Sequence, residues 1–175
     1  MITLVTITSQ RSTGEQRNML GGKMDKIEDA VKVYVLSKQF MSENLDAIVN
    51  IERDYSETWL PDNFMMDVPM KWELSRYASI GEKPVGFLIA SLREDSIALH
   101  RFMVDPDYRD RHIGAIIYSD FEQACMKIQG VKKITLNVLA DNTGAIEFYK
   151  RLGYAICSER SDTARRYGME KILRE

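Results

Sequence analysis

The fold is decided by three stretches: VDPDYRDRHIGAII at residues 104–117, LNVLA at residues 136–140 and DNTGAIEFYKRLGY at residues 141–154. The first has the pattern of a strand end, an arginine-rich turn and the start of a helix, and the second has the apolar run of a buried strand. In the third, an asparagine opens a helix that contains Tyr149. This order predicts an anion-binding site at a helix N-terminus, with the phenol of Tyr149 on the helix that follows the next strand.

Further strands and helices surround this unit. From hydrophobic alternation and turn signals we expect strands over residues 30–36, 75–80, 85–92, 96–104, 134–139, 154–158 and 167–173. Helices are expected after a cap at Ser42 or Asn44, within residues 64–74, from Gly114 to Gly130 and from Asn142 to Gly153. The order β-α-α-β-β-β-α-β-α-β-β predicts an α/β fold, with a mixed sheet and helices on its faces.

Length, charge and cysteine usage limit the classes of function. The chain has 175 residues, which suits one domain, and its formal net charge is -2, so no basic field favours nucleic acid. Cys125 and Cys157 form no CxxC pair and are expected to be buried thiols, which fits a reducing cytoplasm. The chain contains no run of about 18 apolar residues, so we expect no membrane span.

The N-terminal region differs in composition from the rest of the chain. Residues 9–23 are polar and rich in Gly, Ser, Thr, Gln and Arg. Residues 1–23 are therefore predicted to be an N-terminal extension or linker that is partly disordered. Pairing of residues 2–7 with the sheet is an alternative. A single domain is expected over residues 24–175.

The arginine turn, residues 108–115, joins a predicted strand to an amphipathic helix. Backbone N–H groups in the first turn of a helix lack intrahelical partners and carry partial positive charge, so a diphosphate can bind there. Arg109 and Arg111 can add bidentate contacts to phosphate oxygens, and Gly114 lacks a Cβ where a ligand would come close. A solvated basic turn is the alternative. No GxGxxG or GxxxxGK[ST] motif supports a dinucleotide fold or a P-loop.

The arginine turn and residues 142–154 together resemble motifs of the GCN5-related N-acetyltransferase (GNAT) family. The family's phosphate turn reads Arg/Gln-x-x-Gly-x-Gly/Ala after a strand that often ends in Val-Asp-Pro, and Arg109 and Gly114 match it. His112 stands where the first glycine is usual, so its side chain would crowd the phosphates, shift the backbone or donate an imidazole hydrogen bond. Residues 142–154 are similar to the family's N-x-x-A-x-x-x-Y-x-x-x-G-[FY] pattern. The resemblance covers about residues 24–173 and implies a GNAT-like acyl-CoA N-acyltransferase fold.

The resemblance implies an acetyl-CoA co-substrate, no metal, and direct attack by a primary amine in a ternary complex. Members of the family hold the pantetheine arm like an extra strand between two splayed strands. The main chain of residues 102–104 would do so here, and one of its N–H groups would polarise the acetyl carbonyl. The implied cofactor-binding residues are Phe102, Met103, Val104, Arg109, Asp110, Arg111, His112, Ile113, Gly114, Ala115, Asn142 and Tyr149.

Two catalytic side chains follow from the same resemblance. Tyr149 matches the tyrosine that faces the cofactor sulfur, where its phenol would protonate the departing thiolate. By spacing alone, a core tyrosine is the alternative. His100 stands where many members carry a glutamate, and it would accept the proton of the amine. A structural histidine, the carboxylates of Glu94 and Asp95, and water are the alternatives for that base.

The acceptor is expected between the first two helices, the loop that joins them and the later strands. This region is predicted to be lined by an acidic and aromatic set that would hold a cationic amine: Glu52, Asp54, Glu57, Trp59 and Asp62. A solvated helix face explains the acidic residues equally well. A small amine, an amino acid, an aminoglycoside and a peptide N-terminus all fit as acceptors.

The competing class of function is a non-catalytic module of the same fold that senses CoA or a partner. The feature that favours it is His112 in the arginine turn. Terminal strands with open edges are compatible with a homodimer. The two histidines and two cysteines lack the clustered spacing of a zinc site, so no metal is expected.

Overall fold

Seven strands form one mixed sheet in the computed structural model, which describes residues 30–55, 57–161 and 163–173. The strands are β1 (Val31–Val35), β2 (Arg76–Ile80), β3 (Lys83–Arg93), β4 (Ser96–Val104), β5 (Lys133–Leu139), β6 (Ala155–Ser161) and β7 (Arg165–Ile172). Their order is β1-β2-β3-β4-β5-β7-β6, and only β4 and β5 run parallel. The predicted mixed sheet is confirmed. The predicted extension over residues 1–23 lies outside the described residues.

Four short helices stand before β2, where two helices were predicted. The helices of the described chain are α1 (Lys38–Glu43), α2 (Leu45–Ile51), α3 (Pro61–Met65), α4 (Lys71–Leu74), α5 (Ile113–Met126) and α6 (Thr143–Arg151). Ser37, not Ser42, caps α1 by accepting a hydrogen bond from the N–H of Phe40. Asn44 ends α1 and precedes α2. Pro61 starts α3, because a first-turn residue needs no N–H partner.

The ends of α5 and α6 use different geometry. Gly153 has a φ of 92° and follows α6 as predicted, and its N–H and that of Tyr154 bond to carbonyls in the last turn of α6. Gly130 also has a left-handed φ of 83°, but α5 already ends at Met126. The N–H of Lys127 bonds to the carbonyl three residues earlier, which tightens the last turn. The prediction that Gly130 terminates this helix is therefore wrong.

Helices cover both faces of the sheet. Successive side chains along a strand point to opposite faces. Leu88 and Phe102 belong to the core that includes α5 and α6, whereas Phe87, Ile89 and Met103 belong to the core that includes α1, α2 and α3. Full burial of each such side chain contributes about 1.5–3 kcal/mol, so both helical layers are held by substantial apolar contact.

The outer strands of the sheet are β1 and β6. Every residue of β6 is exposed. Cys157 therefore lies at the surface, and the expectation of a buried thiol there is wrong, whereas Cys125 is buried on α5. The homodimer prediction depends on these two open edges.

β4 and β5 part shortly after they meet. They pair only over residues 96–98 and 133–135, although both strands continue beyond this contact. A bulge in the pairing of β3 with β4 inserts His100 as the extra residue of β4 and increases the local twist. The edge of β4 over residues 99–104 therefore faces a gap in the sheet instead of β5.

A buried ion pair fastens the end of α2 to β4. Arg101 is fully buried, and its Nε and Nη2 donate to the two carboxylate oxygens of Glu52 at 2.6 and 2.7 Å. Nη2 also donates to the backbone carbonyl of Glu57 at 2.7 Å. Glu52 is also buried, so neither charge has water as an alternative partner. The helical layer is therefore attached to the sheet at the residue next to the bulge.

Removing only one member of this pair should destabilise the protein strongly. Arg101→Met leaves the Glu52 carboxylate buried and uncompensated, so we expect the free energy of unfolding to fall by about 3–5 kcal/mol. The double variant Arg101→Met/Glu52→Gln removes both charges and should regain much of that loss. Urea denaturation of the parent, both single variants and the double variant measures the coupling. Purely additive losses would contradict a mutually dependent pair.

Candidate active site

A cleft of about 460 Å³ opens where β4 ends and α5 begins, and one side of it is formed by α6. Its lining residues are Val104, Tyr108, Arg109, Asp110, His112, Ile113, Gly114, Ala115, Gly144, Phe148, Arg151 and Leu152. The structure therefore brings most of the predicted arginine-turn residues together in one concave site. The α6 residues were missed, because helical spacing predicted core positions for Phe148 and Leu152.

The backbone of the arginine turn is bent by two left-handed residues. Asp110 and His112 have φ angles of 58° and 57°, a conformation that glycine adopts most easily. His112 thus takes up the backbone geometry suited to glycine, while its side chain is exposed and does not cap α5. Such a residue is strained by about 1–2 kcal/mol. Successive N–H groups in a turn of this kind can form a concave anion site.

Gly114 is not required by packing in the unliganded protein. A Cβ added there would lie 3.7 Å from atoms of Phe102 and Val104 and 3.8 Å from Phe148, all ordinary contact distances. Gly114 also lies in the first turn of α5, where alanine is the better helix former. Since Gly114 lines the cleft, the missing side chain keeps the cleft open beside the helix N-terminus.

The two arginines of the turn are already engaged. The Nη1 and Nη2 atoms of Arg109 donate to the carboxylate of Asp54 at 2.5 and 2.9 Å, and its Nε donates to the carbonyl of Val104 at 3.1 Å. Arg111 lies over the ring of Tyr108, 5.4 Å from its centroid, and is not among the lining residues. Arg109 therefore reaches the cleft with a carboxylate bound, and Arg111 does not reach it in this arrangement.

The β4 residues can offer only main-chain groups. Phe102 and Met103 are fully buried on opposite faces of the sheet, and the ring of Phe102 packs edge-on against Phe148. Val104 lines the cleft. Asn142 caps α6 by accepting a hydrogen bond from the N–H of Ala145 at 3.1 Å, and it does not line the cleft. The implied pantetheine contacts of residues 102–104 are therefore restricted to their backbone along the gap.

Tyr149 lies on α6 with its side chain fully buried. Its ring packs edge-on against Phe148 and Tyr154, with centroids 5.4 and 5.3 Å away. Within the described residues its hydroxyl has no hydrogen-bond partner, which is unusual for a buried phenol. Burial raises the pKa of Tyr149 well above its usual value, so the hydroxyl keeps its proton.

His100 lies on β4, apart from the residues that line the cleft. It is 4% exposed, and its Nε2 is 2.6 Å from the hydroxyl oxygen of Ser91 on β3. Burial lowers the pKa of His100 to about 4. The imidazole is therefore neutral near pH 7 but binds a proton weakly, which weakens the case for it as the base. Glu94 and Asp95 are exposed in the turn between β3 and β4.

Three of the four acidic residues predicted to hold a cationic amine are bound to arginines instead, and the exception is Asp62. Glu52 pairs with Arg101, Asp54 pairs with Arg109, and Glu57 lies 3.2 Å from Arg166 of β7. These three carboxylates are therefore neutralised, so the expectation that they bind the amine is not supported. Trp59 packs edge-on against Phe64. The partner arginines lie 49 to 109 residues away in sequence, where no local pattern connects them to the carboxylates.

The described residues contain no group of three or more His, Cys, Asp and Glu side chains arranged to hold a metal ion. In the same part of the chain, no helix has the length and hydrophobicity that a bilayer crossing requires. The chemistry available at the cleft is thus that of backbone N–H groups and of the Arg109 guanidinium. The fully buried Tyr149 is not among the residues that line the cleft.

The sequence matches the model of the Acetyltransferase (GNAT) family over residues 45–154. A Methanocaldococcus jannaschii protein described as an uncharacterized N-acetyltransferase is 39% identical over 98 residues, which cover 48% of this chain and 42% of that relative. The match thus spans less than half of that relative's length. N-alpha-acetyltransferase 20 of Dictyostelium discoideum is 28% identical over 127 residues, which cover 68% of this chain and 72% of that protein.

The fold is shared with solved structures. The ribosomal-protein-S18-alanine N-acetyltransferase from Escherichia coli superposes with a TM-score of 0.73 at 22% identity. The superposition covers 83% of this chain and 95% of that one. At this level of identity the likeness shows a common architecture, and the predicted GNAT-like fold is confirmed.

Acid should destabilise the protein through His100. Because burial lowers the pKa of His100 from 6.5 to about 4, the unfolded chain binds a proton that the folded chain does not bind between these values. This contribution to stability is complete above pH 6.5 and declines as the pH falls towards 4, by up to about 3 kcal/mol. Urea titrations at about pH 7 and pH 5 measure how far the free energy of unfolding falls in acid. This fall should be smaller for His100→Gln, whose amide can still bond to Ser91, than for the parent. Equal losses in both proteins would refute this account.

Proposed function

The chain belongs to the GNAT family of acetyltransferases, and we propose that it is an acetyl-CoA-dependent enzyme that transfers an acetyl group to a primary amine. The observation that supports this most strongly is the cleft between the arginine turn and α6. The cleft brings together the arginine turn, which precedes β5 in the sequence, and α6, which follows β5. Both motifs fall within the residues that match the family model.

The diphosphate of the coenzyme is proposed to bind at the arginine turn. Ile113, Gly114 and Ala115 line the cleft and belong to the first turn of α5, whose N–H groups lack intrahelical acceptors. The positive end of the helix dipole favours an anion at this position. The guanidinium of Arg109 lies at the same cleft and adds positive charge. Main-chain groups therefore provide most of the binding.

The pantetheine arm is proposed to lie along β4 in the gap that opens after residues 96–98. Extended chains bind well to an open strand edge, because the edge offers N–H and C=O groups at regular spacing. The thioester carbonyl would then accept a hydrogen bond from a backbone N–H of β4. A donor of this type, aimed at the developing oxyanion, is worth about 10²–10³ in rate.

In the proposed reaction, the neutral amine attacks the thioester carbonyl carbon. A C–N bond forms, the C–S bond breaks, and the coenzyme leaves as a thiolate that must be protonated. The Tyr149 hydroxyl retains its proton and has no protein partner among the described residues, so it is suited to donate that proton. The proton released by the acceptor passes to water, because His100 binds protons too weakly to be an effective base.

The acceptor is proposed to be a single primary amine flanked by apolar groups, as in a peptide N-terminus. The carboxylates Glu52, Asp54 and Glu57 are neutralised, so this side of the protein does not favour a polycation. Leu60 is 71% exposed beside Trp59 and offers an apolar contact. The name of the Dictyostelium relative specifies an α-amine acceptor, which agrees with this proposal.

Release of free thiol from acetyl-CoA tests the proposed function. The purified chain is incubated with acetyl-CoA and, in separate reactions, peptides with free or blocked N-termini, lysine side-chain amines, and an aminoglycoside. We expect release with free N-terminal peptides and much less with the blocked ones. Binding of acetyl-CoA without thiol release on any amine would instead favour the CoA-sensing module.

Two variants should separate binding from chemistry in this assay. Gly114→Leu places a large side chain at a position that lines the cleft, while its Cβ meets only ordinary contact distances, so the dissociation constant of CoA should rise by about tenfold or more. Tyr149→Phe removes only the hydroxyl, so turnover should fall by about tenfold or more with CoA affinity retained. Unchanged turnover in Tyr149→Phe would exclude this tyrosine as the acid. Unchanged CoA affinity in Gly114→Leu would place the diphosphate elsewhere.

A further inference from the structure

Arginines from three separate elements hold the loop between α2 and α3. This loop, residues 52–55 and 57–60 of the described chain, is bound by Arg101 of β4, Arg109 of the arginine turn and Arg166 of β7. Because β4 and β7 lie on opposite sides of the gap in the sheet, the loop spans that gap. Its position is therefore linked to both walls of the site and to the arginine turn.

The ion pairs of this loop differ in how easily they can exchange. The pair between Glu52 and Arg101 is fully buried, so separating it would leave two charges without solvent. In the pair between Asp54 and Arg109, the Asp54 side chain is 42% exposed and the Arg109 side chain is 12% exposed. Water can therefore solvate a released Asp54, whereas the mostly buried Arg109 needs another anion in its place. Glu52 is thus a fixed anchor of the loop, and Asp54 is its exchangeable contact.

Asp54 binds Arg109 in the way that a phosphate group would. Both terminal nitrogens of the guanidinium donate to the two oxygens of one carboxylate, and arginine binds phosphate oxygens in the same bidentate manner. The hydrogen bond from Arg109 lowers the pKa of Asp54, so the carboxylate is charged at neutral pH. A charged carboxylate paired with Arg109 therefore stands beside the cleft.

We propose that Asp54 is an internal competitor for Arg109, which the diphosphate of the coenzyme displaces when it enters the cleft. This inference depends on the proposed function, since it requires coenzyme at the arginine turn. Displacement frees the Asp54 part of the loop, while Glu52 stays fixed to Arg101. Arg53, which is bound to Asp105 at 2.8 Å and Asp107 at 3.0 Å, is the nearest cation in sequence to the released carboxylate.

The exchange couples the coenzyme to the acceptor side of the site. Trp59 belongs to the same loop, and its backbone N–H donates to the Glu52 carboxylate at 3.3 Å. Coenzyme binding thus removes one restraint, the contact of Asp54 with Arg109, from the loop that also carries Trp59 and the exposed Leu60, while the contacts of Glu52 are kept. Coupling of this kind is reciprocal: whatever holds Asp54 on Arg109 weakens coenzyme binding by the same factor.

Calorimetric titration with CoA tests the competition. Asp54→Asn removes the competing charge, so its dissociation constant should be lower than that of the parent by about three- to tenfold. Asp54→Glu keeps the charge and should bind CoA like the parent. Asp46→Asn makes the same charge change at an exposed site on α2 and is the matched control, with no change expected. Raising the salt concentration should reduce the difference in the dissociation constant of CoA between Asp54→Asn and the parent.

Stability provides a readout that separates competition from a structural role. Asp54→Asn loses an ion pair, so its thermal midpoint should fall slightly although its affinity for CoA rises. If Asp54 had only a structural role, Asp54→Asn would lower both the thermal midpoint and the affinity for CoA. Equal or weaker CoA binding by Asp54→Asn, with the parent binding normally, overturns the inference and leaves the proposed function intact. If the parent binds no CoA, the proposed function fails and this inference fails with it.

Hydrogen exchange tests the release of the loop itself. Peptides that contain Asp54 should exchange faster when saturating CoA is added to the parent, because the contact with Arg109 is lost. In Asp54→Asn the same peptides should already exchange fast and should change little with CoA. Slower exchange of these peptides in the parent on CoA addition would overturn the displacement.

Discussion

The parting of β4 from β5 is the constraint on which the site depends. The two strands pair only over residues 96–98 and 133–135, and the bulge at His100 turns β4 away just beyond that contact. A regular sheet would have satisfied the backbone of residues 99–104 with a neighbouring strand. The gap leaves that edge open beside the arginine turn, so one topological feature places backbone donors of β4 next to the N-terminus of α5.

Charge is arranged around this gap in neutralised pairs. The loop between α2 and α3 contributes the carboxylates of Glu52, Asp54 and Glu57, and each of them binds an arginine from another element. Only the Glu52 pair is buried on both sides, and it lies next to the bulge. The pairs hold a loop across the opening of the sheet without giving it the excess negative charge that would select polycations.

Local patterns in the sequence account for much of the fold. A mostly apolar run between turn signals predicts β4 over residues 96–104 as observed, because a strand that is buried on both faces has this pattern. Asn142 is predicted as a cap because capping depends only on the next few residues. Four short helices stand before β2 where two were predicted, because Ser37 caps an additional helix ahead of Asn44 and Pro61 begins another ahead of residue 64.

The candidate site was predicted only in part, and the missing part is long-range. The arginine turn lines the cleft because its residues are adjacent in sequence. Nothing local to Asp54 or Glu52 indicates that each is neutralised by an arginine on a strand or turn brought close only by folding. Similarly, helical spacing places Tyr149 on a buried face, but it cannot predict that the hydroxyl lacks a protein partner.

Hydrogen exchange of the β4 backbone, measured with and without CoA, tests the account most directly. If the coenzyme arm occupies the gap, at least one amide of residues 99–104 becomes strongly protected when CoA is added. Amides of β1 and β2, on the far side of the sheet, remain unchanged. Protection confined to the arginine turn, with none along residues 99–104, would contradict the claim that the parted strands receive the coenzyme.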